Sequence, residues 1–185
     1  VPVADLPEHY AHELAQVLRA EKQLLADQEV ADAIGCRISF AKDDIILIDW
    51  NAALIFDQDA YDALAVLEFA NVELLEMRFL DRELDDSLDR TYEVLSRRSP
   101  LTIWSLAGDL RSVAQMQVDG AIVFERVSNA LKLMSDQYLA RVYRLASQRF
   151  HLAEWNSSIL RKLDTIESLY KKMSDRNASR RLEIL

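Results

Sequence analysis

Apolar residues recur every three or four positions along most of this chain, and the pattern changes to short apolar runs only between residues 37 and 56. The first of these periods, with Leu14, Val17, Leu18, Leu24, Leu25 and Val30 between Pro7 and Gly35, predicts one helix or two short ones. The stretch "CRISFAKDDIILIDWNAALIFD" is rich in Ile, Leu, Phe and Trp and is broken at Lys42-Asp43-Asp44 and at Trp50-Asn51, which predicts two or three short antiparallel strands, near 37–41, 45–49 and 53–56. So small a sheet is marginal alone and needs helices on a face; it is expected to close a larger domain begun upstream.

From Asp59 to Arg97 there is neither Gly nor Pro. Leu67, Ala70, Leu74, Met77, Asp81, Leu84, Leu88, Thr91 and Leu95 there keep the alternating three-and-four spacing of a helical seam. Ser99-Pro100 breaks the run, because proline lacks the amide hydrogen and restricts the residue before it. A second seam runs through Leu110, Val113, Gln117, Gly120, Phe124, Val127, Leu131, Met134 and Tyr138, and a third through Val142, Leu145, Arg149, Leu152, Asn156, Ile159, Leu163, Ile166, Tyr170 and Met173. The third is one position out of phase with the second. Either a locally rewound continuous helix or a turn at Ser135-Asp136 accounts for the slip. The fold class is therefore mainly α, with long antiparallel coiled-coil-like helices and a small antiparallel β element. A small α/β portion over 1–57 precedes a helical stalk over 58–185.

Charge sharpens this division. Tyr138 onward holds ten Lys and Arg against five Asp and Glu, so that segment is basic although the chain carries a formal charge of −9. The acidic body argues against nucleic acid as a partner, while the basic final helix suits an anionic surface. Arginines interleaved with aromatics in "RVYRLASQRFHLAEW" could stack on single-stranded RNA, but the acidic total opposes it. Cys36 is the only cysteine, so no intrachain disulfide can form, and no apolar run approaches the 18 or so residues of a membrane span.

Candidate chemistry is sparse. His9 and His12 stand three apart beside Glu8 and Glu13, which is two ligands short of a zinc site and reads as a solvated helix start. Asp81, Asp85 and Asp89 recur at spacings of four and are the candidate oxygen ligands for a divalent cation, but Arg82 and Arg90 interleave with them and no calcium loop is present. No phosphate loop, nucleophile elbow or Cys/His dyad appears, so no catalytic residue, cofactor or enzymatic activity is expected. Arg149 and Asn156 occupy otherwise apolar seam positions, where polar residues can fix register and partner number. A homodimer or another protein partner is the corresponding expectation.

The C-terminal "RKLDTIESLYKKMSDRNASRRLEIL" resembles the end of the required-for-meiotic-nuclear-division family, at Asn177, Ala178, Ser179, Arg180, Leu182 and Glu183, with Arg181 extra. "ALAVLEFANVELLEMRFLDRELD" is similar to the family's earlier helix after a strand pair. The resemblance implies a membrane-anchored protein whose soluble part faces the compartment of translation. The alanine- and arginine-rich composition looks bacterial, which would place it on the cytoplasmic side of an inner membrane. Arg176, Arg180 and Arg181 would then lie at the headgroups ahead of a span beginning after Leu185. A CorA-like divalent-cation transporter, also an acidic α/β domain leading into a stalk helix, is one alternative; a wholly soluble helical interaction module is another.

Overall fold

The computed structural model describes residues 2–96, 115 and 137–183. After a 3-10 turn at Val3–Asp5 come α1 (Leu6–His9), α2 (Ala11–Arg19) and α3 (Asp27–Gly35), then β1 (Arg37–Ile38), β2 (Ile45–Ile48) and β3 (Ala53–Phe56). Three further helices follow, α4 (Tyr61–Ser96), α5 (Gln137–Arg149) and α6 (Leu152–Glu183). The protein is mainly helical with a small three-stranded antiparallel sheet near its N-terminus, ordered β1-β2-β3. Contacts divide the chain into two compact units, Val1–Leu74 with Ala130–Leu152 and Leu75–Asn129 with Ala153–Leu185. The first unit thus reaches past residue 57 to include the start of α4 and the whole of α5.

In the first unit the core is built on β2. All four of its residues are buried, with Ile45 facing Phe56 and Ile48 facing Ala53 across the ladder to β3. Side chains alternate along a strand, and Ile45 and Leu47 join Leu14, Ala15 and Leu18 of α2 and Val30, Ala33 and Ile34 of α3 in one apolar cluster. Ile46 and Ile48 point the other way and are as deeply buried, so the strand is covered on both faces. That is why its sequence reads as a continuous apolar run rather than an alternating one. α5 packs against β1 and β2 and buries Val142, Tyr143 and Ala146.

Helix ends in this unit follow local chemistry. α2 stops where Ala20 takes the left-handed conformation at φ 50°, its N–H bonding back to the carbonyls of Gln16 and Val17. The third seam, read from Val142 to Met173, is interrupted between α5 and α6. His151 sits at φ 53° and its N–H bonds to the Gln148 carbonyl at 3.2 Å. A left-handed residue with a Cβ costs about 1–2 kcal/mol. The offset is visible around it: Phe150 and Leu152 on either side are buried, and the His151 ring stacks on Trp50 at 5.1 Å between centroids. Neither Gly nor Pro marks this break in the sequence.

Within the second unit, α4 and α6 run side by side in the same direction. Arg78 lies over the Trp155 ring, Ser158 bonds to Asp81, and Lys162 reaches both Asp81 and Asp85, a constant register along both helices. Several seam residues read from the sequence are buried, Met77, Leu84 and Thr91 on α4 and Ile159, Leu163 and Ile166 on α6, whereas seam positions Asp81, Leu88 and Asn156 are half-buried and Leu80 and Ser87, outside the seam, are buried too. The second seam, from Leu110 to Met134, and the Ser135-Asp136 turn lie outside the described residues. No helix among the described residues is long and apolar enough to cross a membrane.

Candidate functional site

The densest polar constellation among the described residues gathers where two helices of the first unit end against the β2–β3 turn. Asp49 is the first residue after β2, its N–H donating to the Ala52 carbonyl at 2.9 Å. Its side chain is only 1% exposed. Arg19, the last residue of α2, places Nε 2.5 Å from Asp49 Oδ2, and Arg149, the last residue of α5, donates to Asp49 Oδ1. Both arginines sit at helix C-termini, where the backbone dipole favours a cation.

Asp32 on α3 closes the group. Arg149 donates to both of its oxygens, at 3.0 and 2.8 Å, and Arg19 donates to Oδ2 at 2.6 Å. The paired Arg149 bonds form the two-pronged geometry that suits a planar guanidinium. Trp50, next along from Asp49, covers the outer face: the Arg149 guanidinium carbon lies 5.0 Å from the indole centroid. A cation over an indole face adds about 0.5–1 kcal/mol or more.

Two arginines and two aspartates thus face one another, and Glu29 adds a third acid 3.5 Å from Arg19. The hydrogen bond from Arg149 holds the Asp32 carboxyl down at about 2, against the opposing effect of desolvation. The same hydrogen bonds to Asp32 in turn move Arg149 above its already high range. A general acid or base needs a pKa near the working pH, and here both groups move away from neutrality. The arrangement pins α2, α3 and α5 to the sheet.

Because the Asp32 pKa is lower folded than unfolded, its contribution to stability is complete above about pH 4 and is lost as pH falls toward 2. The melting temperature of the wild-type protein should therefore fall over that window. Asp32→Asn should start lower at neutral pH and lose less across the same acid range; equal pH slopes for the two proteins would show that Asp32 is not held by the arginines. Half of the Asp32 side chain is exposed, so solvent screening keeps the effect modest.

Two further polar contacts secure α5. The Tyr143 hydroxyl donates to Glu73 Oε2 at 2.6 Å, and burial with this bond raises the phenol above its ordinary range. The Tyr138 hydroxyl donates to Asp44 Oδ2 at 3.0 Å, while Asp44 also accepts from the Phe40 and Ala41 amides in the β1–β2 turn. Desolvation first, and the Asp44 contact second, raise the Tyr138 phenol likewise.

The residues singled out from sequence fall elsewhere or into other roles. Arg149, expected to set helix register, is instead the central cation of the cluster, because the break at His151 ends α5 beside Asp49. Asn156 is half-buried in α6. Asp81 and Asp85 both pair with Lys162 Nζ at 2.7 Å, and Asp89 is exposed one turn further along. Burial works against the Lys162 charge, but these two carboxylates more than compensate and raise its pKa. The cation facing this row is thus an ammonium group from α6. Among the described residues no group of three or more His, Cys, Asp or Glu is placed to hold a metal ion.

His9 and His12 lie on different helices, α1 and α2. Glu8 pairs with Arg37 at 3.0 Å. The backbones of Arg176, Arg180 and Arg181 are helical within α6, and their side chains lie outside the described residues. Sequence reasoning did not single out Arg19, Asp32, Asp49 or Trp50. The available signal was Asp49 itself, an acid placed directly after four apolar strand residues, with Arg149 as an equally isolated cation in an apolar seam.

The fold and cluster define an α+β protein, mainly helical, with its ion-paired centre in the N-terminal unit. Residues 1–62, which carry Arg19, Asp32, Asp49 and Trp50, match the family described as "Uncharacterized protein MJ0711, N-terminal domain". A relative from Methanocaldococcus jannaschii, "Uncharacterized protein MJ0711", is 21% identical over 159 residues, covering 85% of this chain and 49% of the relative. The chain therefore spans about half the length of the curated relative it matches. No solved structure matches it.

Proposed function

We infer that the protein is a non-enzymatic helical scaffold tethered to a membrane, with the described units on the cytoplasmic side. The observation that carries this reading is α6, which stays helical from Leu152 to Glu183 and so includes the whole Asn177–Glu183 segment on which the family resemblance rests. From Lys171 to Glu183 that helix holds five Lys and Arg against two Asp and Glu. A basic helix of this kind is attracted to anionic headgroups, by about 1 kcal/mol for each Lys or Arg close to the surface.

The cluster at Asp49 supports the non-enzymatic part, since its charges are committed to one another and pairing moves Asp32 and Arg149 further from neutrality. A protein partner or second copy is the natural complement of a scaffold. Leu75 and Phe79, one turn apart on α4, are exposed in the second unit and suit such a contact. The test is whether the product of the native gene is held in membranes as an integral protein.

A further inference from the structure

We propose that the first unit carries a phosphate-binding pocket between β1 and α5, formed by Arg37, Arg141 and Arg144. These arginines line one concavity of about 220 Å³ together with Ile38, Leu145 and Gln148. No carboxylate lines it. The concentration of positive charge runs against its surroundings. Residues 2–74 and 137–152 hold fifteen Asp and Glu but only seven Lys and Arg, and three of those seven meet here.

Arg141 and Arg144 stand three apart on one face of α5, where like charges repel. No ion pair joins either of them to a carboxylate among the described residues. Arg37 does pair with Glu8, at 3.0 Å, but both side chains are substantially exposed and such a surface bond exchanges readily. An oxyanion seated among the three would relieve their repulsion and accept paired guanidinium hydrogen bonds, the geometry in which arginine recognises phosphate. The Gln148 side-chain amide adds an uncharged donor at the rim. Size sets the class of ligand: the space falls below the roughly 300–1,000 Å³ of pockets for larger organic ligands, and it suits a phosphate group or small phosphomonoester.

The source of that phosphate, free or on a lipid, is separable by experiment. Calorimetric titrations with sodium phosphate and with glycerol phosphate would be run against sodium chloride at matched ionic strength. Co-sedimentation with phosphatidylglycerol vesicles would be measured beside them. Arg141→Gln/Arg144→Gln is the principal variant, Arg37→Gln the second, and Arg90→Gln, an exposed arginine on α4, the control; circular dichroism checks that each is folded. Saturable binding of either soluble phosphate that weakens about tenfold or more in the double variant, and is unchanged in Arg90→Gln, supports the pocket and a soluble ligand. Vesicle binding alone, lost in the double variant and in Arg37→Gln, supports it with a lipid headgroup as the source. The proposal is overturned if the wild-type protein binds none of the three saturably, or if the pocket variants bind as it does.

Discussion

Asp49→Ala is expected to lower the free energy of unfolding by about 3–5 kcal/mol, because removing one partner of a buried ion pair strands the other. Here it strands two. Arg19 and Arg149 both direct guanidinium groups at this carboxylate, whose side chain is 1% exposed, and only the more exposed Asp32 and Glu29 would remain to balance them. Asp49→Asn keeps the shape and one acceptor oxygen but removes the charge, so it should fall between Asp49→Ala and the wild type. The measurement is urea unfolding at neutral pH, with a double-mutant cycle through Arg149→Met. A large coupling between the two positions is expected, since each single change leaves a charge that the double change removes. Additive losses would mean that the two side chains act separately. If the cluster were a surface pair, Asp49→Ala would cost only about 0–1 kcal/mol.

The second large effect concerns β2. Ile45→Ala and Ile46→Ala should each cost about 2–5 kcal/mol, although the two side chains point to opposite faces of the sheet. Ile45 lies in the apolar cluster with α2 and α3, and Ile46 on the other face is equally inaccessible. A strand with one solvated face would give a sharply unequal pair, with the outward substitution close to neutral. The same unfolding experiment decides between these outcomes. Comparable losses at both positions would also show that helices cover both faces in solution, as so short a sheet requires.

Much of the fold is legible in the amino-acid sequence because it depends on periodicity. The three strands, Gly35 at the end of α3, and the buried positions Leu84, Ile159, Leu163 and Ile166 all follow from where apolar residues fall. The break at His151 does not, because the residue that adopts the left-handed conformation carries no glycine-like mark. Its stability comes from Trp50, a hundred residues away in the chain, and from the burial of Phe150 and Leu152. The same is true of the cluster. Nothing local in Arg19 or Asp32 announces a partner; they become a site only when α2, α3 and α5 meet the β2–β3 turn. Asp81 and Asp85 teach the converse, since carboxylates that look like a cation site along one helix are met by Lys162 from another.

The membrane tether is tested most directly by fractionating cells that express the native gene at its own level, then washing the membranes with high salt and with alkaline carbonate. Retention in the pellet through both washes is the predicted result. Salt releases proteins held by basic side chains alone, whereas an apolar span resists both treatments. Recovery of the protein in the soluble fraction, or its complete release by salt, would contradict a tethered scaffold.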